Sequence, residues 1–113
     1  MFKLTSLQNA PRVPFRFDGR KLHSSNQIEV IHVHLRPGEA TPTFTTDCDV
    51  FVWVGNGEAM IETNTMKAHV EAGTFIEVKR DVDRSIANFG AVPLELLIIK
   101  VFDSTHKPIV NNL

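Results

Sequence analysis

Apolar residues in this chain come in short bursts, and each burst ends within a few residues at Gly, Pro, Asn or Asp. No window of a dozen residues carries an apolar stripe at the helical period. Together these facts predict strands joined by tight turns, with negligible helix. Residues 28–35 form one such burst, closed by Arg36-Pro37-Gly38. Residues 49–54 form a denser one, closed by Gly55-Asn56-Gly57. Residues 59–63 and 67–71 flank Asn64-Thr65 as a hairpin, and residues 74–78 and 85–89 add two more strands. Residues 94–102 alternate poorly, which reads as a strand buried on both faces. A further strand is expected near residues 13–17, whereas residues 104–113 carry no readable pattern. The sum is about eight short strands at a spacing of roughly 8–12 residues, the pattern of an all-β sandwich or barrel.

Composition narrows the function classes. A length of 113 residues suits a single domain over 1–113. Twelve basic and thirteen acidic residues are spread along the chain and leave a formal net charge of -1. With no basic stripe to collect phosphates, a nucleic-acid partner is not expected. The longest apolar run, residues 50–54, is far too short to cross a bilayer, so no membrane partner is expected either. The first residues lack the charged-then-apolar layout of a secretion signal, and one cysteine allows no intrachain disulfide. A cytoplasmic location is the expectation that follows.

Two spacings carry more information. Gly38 is followed by five residues, then Phe44, Thr45 and Thr46, three more, Val50, six more, and Gly57. Fifteen residues separate Gly57 from Gly73, which opens a second frame running through Lys79, Asp81, Arg84 and Asn88. In these spacings the chain resembles the cupin superfamily over about residues 28–102. The resemblance implies a jelly-roll barrel of short antiparallel strands, the double-stranded β-helix. The family's first motif would put His-x-His at Phe44 and Thr46 and a glutamate at Val50. Its second would put Pro and Gly at Lys79 and Asp81, a histidine at Arg84 and an asparagine at Asn88.

In the family, those histidines and that glutamate hold one divalent metal. Here Phe44 and Val50 offer no lone pair, and Arg84 stays protonated and repels a cation. Slipping the frame by one residue lets Asp49 stand in for the glutamate, yet one carboxylate and one hydroxyl do not make a transition-metal site. The resemblance therefore implies a cupin barrel with no metal and no cofactor.

Residues two apart in a strand share a face, so Phe44 and Thr46 go together, as do Arg84, Ile86 and Asn88. By the family's arrangement Arg84 points inward, where an unpaired cation costs several kcal/mol. Its partner would be Asp47, Asp49 or Glu39, or a small acidic ligand. The other reading puts Arg84 at the barrel mouth, paired with Asp81 or Asp83. The expected pocket lining is Phe44, Thr46, Val50, Arg84 and Asn88, with His34 as a further polar point.

Three functions stay open. The first is a metal-free protein that binds a small molecule. The second is a metal-independent isomerase or epimerase, with His34 as base and Arg84 stabilising an enolate. The chain has no tyrosine to serve as the phenolic acid that such enzymes of the family use. The third is a structural or interaction module whose barrel Phe44 fills.

Other residues are weighed against plainer roles. His32 and His34 form an H-x-H on one strand face, which would need His69 or His23 to complete a metal site. Phe51 and Trp53 share a face opposite that of Val50, Val52 and Val54. An outward aromatic pair suits a subunit interface, and the resemblance implies a homodimer formed by sheet packing. Cys48 reads as structural, His106 as a surface residue, and Glu58, Glu62, Glu71 and Glu77 as a solvated strand face. No phosphate loop, dinucleotide fingerprint or nucleophile elbow is present.

Overall fold

A computed structural model describes residues 1–103, so the tail with His106 lies outside the described residues. The described strands are β1 (Asp18–Ser24), β2 (Ile28–Leu35), β3 (Asp49–Asn56), β4 (Glu58–Thr63), β5 (Lys67–Glu71), β6 (Phe75–Val78), β7 (Arg84–Ala87) and β8 (Leu94–Val101). They form two sheets, a five-stranded one ordered β1-β2-β8-β3-β6 and a three-stranded one ordered β5-β4-β7. Every strand pair is antiparallel. No helix among the described residues is long and apolar enough to cross a membrane.

The period-two pattern decides which face goes inward. In β2, Glu29, Ile31, Val33 and Leu35 are buried while their neighbours are half-buried. In β3, Val50, Val52 and Val54 point inward and Phe51 and Trp53 outward, the same split that the sequence predicts. Ala59 and Ile61 of β4 and Ile86 of β7 meet them from the smaller sheet, and together they form the core between the layers. The segment before Thr46 extends the smaller sheet alongside β7 through bridges at Ala40–Ala87 and Phe44–Arg84.

Gly57 shows how tightly the turns are set. It sits at φ +86°, and a Cβ there would lie 2.6 Å from the Pro93 carbonyl oxygen. Gly38 and Gly73 also have positive φ, so all three glycines of the two spaced frames occupy turns that favour glycine.

Two expectations are corrected. Residues 13–17 are not a strand: Pro14 interrupts the run, and Val13 and Phe17 enter the core from an irregular segment. The strand follows at Asp18–Ser24, an edge strand whose polar composition hides it. Nor is β8 buried on both faces. Leu94, Leu96, Ile98 and Lys100 are inward and buried, while Leu97 and Ile99 are half-buried on the outer face.

Candidate functional site

The two spaced frames converge at the barrel centre. The Phe44 amide donates to the Arg84 carbonyl at 2.8 Å, and the Arg84 amide donates back to Phe44 at 2.9 Å. This reciprocal bridge holds the two side chains next to each other on the inner surface. Val50, inward on β3, closes the third side, and Thr41, Val52, Ile86 and Ile98 complete the lining. The space left among them is about 10 Å³. That is room for about one water molecule.

Arg84 lies inside and not at the mouth, with 5% of its surface exposed. Its Nη1 donates to the Thr46 hydroxyl at 3.1 Å and reaches the Phe44 carbonyl at 3.5 Å. Thr46 in turn donates to the Cys48 carbonyl at 2.9 Å. Burial pulls the guanidinium down to about 10, against the opposing influence of Cys48 and Asp83. Of the acids proposed for it, Glu39 pairs instead with Arg36, and Asp49 accepts from the Arg80 amide and faces Lys79. Phe44 is half-buried, with the Phe15 ring edge-on against it at 5.1 Å. The segment before β1 thus packs over the barrel centre.

The remaining predicted residues go elsewhere. Asn88 is fully buried but structural. Its amide donates to the Leu35 and Val92 carbonyls, and its oxygen accepts from the Gly90 amide. His34 is on the outer face of β2, opposite Leu35 and Val33, so it does not line the interior. His32 shares that outer face and meets Glu95 at 3.3 Å. His69 belongs to the other sheet, beside Glu58. Among the described residues, no three His, Cys, Asp or Glu side chains gather to hold a metal ion. The residues aligned with the family's four ligand positions are Phe44, Thr46, Val50 and Arg84, a set with no imidazole or carboxylate in which the guanidinium bonds to the threonine hydroxyl, and that donor chemistry does not fit a metal.

A second polar cluster was missed in the sequence. Glu29 and Lys100 are cross-strand partners of β2 and β8, both inward and buried. Lys100 Nζ lies 3.6 Å from Glu29 Oε1, and Lys21 Nζ lies 3.5 Å from Oε2. The Ser24 hydroxyl donates to the same carboxylate at 3.2 Å. Burial lowers the Lys100 ammonium, and Glu29 resists that fall. Cys48 is buried nearby, and burial pushes its thiol up, so it stays protonated. The signal was present: Glu29 stands two residues from Ile31, and Lys100 two from Ile98, in phase with the core.

On the outer face of the larger sheet, Phe51 stacks on Phe75 at 5.6 Å. Trp53 is 41% exposed and Phe75 is 59% exposed. Leu97, Ile99 and Val30 continue this apolar surface across β8 and β2.

The layout of two antiparallel sheets around these frames can be compared with solved structures. An RmlC-like cupin family protein with a double-stranded β-helix fold from Methanocaldococcus jannaschii is 21% identical. The match covers 75% of this chain and 79% of that one, with a TM-score of 0.72. This chain has the cupin fold. The cupin domain of Cnp3 from Schizosaccharomyces pombe is 16% identical over 88% of this chain and 73% of that one, with a TM-score of 0.77. The polyketide cyclase RemF from Streptomyces resistomycificus is 15% identical over 100% of this chain and 86% of that one, also at 0.77. No protein-family model and no curated protein matches the sequence. Identities this low establish the cupin barrel and leave the activity to this chain's own side chains.

Proposed function

We propose that this chain is a metal-free cupin module that acts by self-association and keeps its barrel centre closed. The observation that carries the reading is the roughly 10 Å³ left between Phe44, Val50 and Arg84. Neither an organic acid nor a metal with its ligands enters that space without moving side chains. The isomerase reading loses its base, because His34 faces away from the interior.

The outer sheet face supports a second copy as the partner. Strand β8 is central, with β2 and β3 on its two sides and β1 and β6 outermost. A two-fold axis parallel to β8 therefore lays the face on itself. The register puts Trp53, Leu97, His32 and Arg20 in one row. In the dimer Leu97 meets its own copy, Trp53 lies over the partner's His32, and Phe75 lies over the partner's Arg20. An Arg over an aromatic face is a favourable cation–π pair. The five strands have 7, 8, 8, 8 and 4 residues, and at ~4.8 Å by ~3.4 Å per residue they give a face of roughly 570 Å². A standard interface takes about 800 Å² from each partner. A cytoplasmic setting agrees with the lone, buried Cys48.

Light scattering tests the reading. Wild-type protein should run as a dimer, and Leu97→Glu should run as a monomer with an unchanged circular dichroism spectrum. The substitution sets two carboxylates face to face across the axis. A wild-type monomer at high micromolar concentration would refute the self-association. Stoichiometric transition metal in purified protein would refute the metal-free centre.

A further inference from the structure

The two sheets do not close on each other at one side. Strand β5 ends the smaller sheet and β6 ends the larger one, and they do not pair. Between them lies a cleft of about 530 Å³. Its walls are Ile61, Ala68, Val70, Ile76 and Val82, with Phe75 at the rim. None of these residues lines the barrel centre. Pockets for small organic ligands span about 300–1,000 Å³ and are mainly apolar with a few polar points. Thr74 supplies a hydroxyl at the wall.

Charge at this site is already balanced. Lys79, at the rim, lies 3.1 Å from Glu77 and 4.0 Å from Asp49. Among the described residues, the two charged side chains that line the cleft, Glu77 and Lys79, are paired with each other and do not select a charged ligand. An inserted peptide strand is disfavoured too. The flanking strands have five and four residues, and β5 sets Lys67, His69 and Glu71 outward. Short edges carrying charged residues resist strand addition.

We infer that the β5–β6 cleft is a binding site for an uncharged, largely apolar small molecule. The cleft walls lie between the sheets and the dimer face lies outside them, with Phe75 at the rim as the residue the two share. Val82 belongs to the connection between β6 and β7, so that connection forms one wall of the site.

The test uses N-phenyl-1-naphthylamine, a neutral apolar fluorophore, with the full chain. Wild-type protein should bind it with saturable enhancement and at least tenfold more tightly than the anionic anilinonaphthalene sulfonate. Ala68→Phe, which places a ring in the cleft, should weaken binding at least tenfold. Val82→Asp, in the wall formed by the β6–β7 connection, should do the same while the circular dichroism spectrum is retained. Probe-induced amide shifts should fall at Ile61, Ala68, Val70, Ile76 and Val82. Leu97→Glu should bind like wild type, which separates this site from the dimer reading. No saturable binding, equal binding of the anion, or shifts centred on Arg84 and Thr46 would each overturn the inference.

Discussion

At the barrel centre Phe44, Val50 and Arg84 leave about 10 Å³, whereas Ala68, Val70, Ile76 and Val82 leave about 530 Å³ between β5 and β6. One pair of sheets makes both places. At the centre a long guanidinium and a phenyl ring lie together between the sheets. At the cleft the strands are short edges with small or β-branched side chains. Side-chain volume and edge pairing therefore decide where a cupin barrel has room, and conserving the backbone does not fix that place. The contrast can be attacked from either side.

The largest effect should come from neither place but from the buried polar cluster on β2 and β8. Glu29 is fully buried and faces both Lys100 and Lys21. Glu29→Gln removes the carboxylate that these two lysines share, and breaking such a buried pair costs about 3–5 kcal/mol. The pH dependence has a definite sign. Burial already depresses Lys100, so its protonated form opposes folding at neutral pH. Its contribution to stability is present above the ordinary lysine range and is lost as pH falls through the depressed value. Without Glu29 that value drops further, so the deficit of the variant should shrink as pH rises from neutral toward the alkaline range. Urea unfolding at several pH values checks this, and a deficit that does not change with pH would refute it.

Phe44→Ala should open the centre itself. A fully buried phenylalanine costs about 3–5 kcal/mol to truncate, and Phe44 is only half-buried, so about 2–3 kcal/mol is expected. The measurement is a second binding event for the neutral fluorophore. If Phe44 is what plugs the centre, the variant should show one and the wild type should not. A variant whose centre stays closed would show that Arg84 and its threonine partner suffice to fill it.

The sequence carried the face assignments well. The parity of Val50, Val52 and Val54 against Phe51 and Trp53 is local, and one strand is enough to read it. The two spaced frames placed Phe44, Val50 and Arg84 around one point, since glycine turns fix the distance along the chain between strands. Glu29 and Lys100 were legible by the same parity, but a charge is not expected inward until its cross-strand partner is known. Strand β1 was hidden because an edge strand needs only one ladder and tolerates polar residues. Asn88 and His34 went astray for different reasons. Asn88 shares the inward face but spends its amide on the backbone of three residues. His34 falls on the outer phase of its strand. The cleft could not be read at all, because its walls come from β4, β5, β6 and a polar connection, and only the absence of β5–β6 pairing brings them into play.

That polar connection is also the partition between the two regions, and it supplies the smallest prediction. Val82 lines the cleft and Arg84 lines the centre, and between β6 and β7 the chain turns at Asp81 with φ 64°. Asp81 stands where the second cupin motif carries a glycine, and its amide donates to the Thr46 carbonyl at 2.8 Å. Aspartate tolerates the left-handed region better than most residues, so the strain stored here is small. Asp81→Gly relieves that strain but adds freedom to the unfolded chain, and the two nearly offset, for a net gain of about 0.5 kcal/mol. Thermal unfolding should show a rise of a few degrees or less, with fluorophore binding unchanged, because the backbone path is kept. A loss of stability would mean that the aspartate carboxylate, rather than the turn geometry, holds the partition in place.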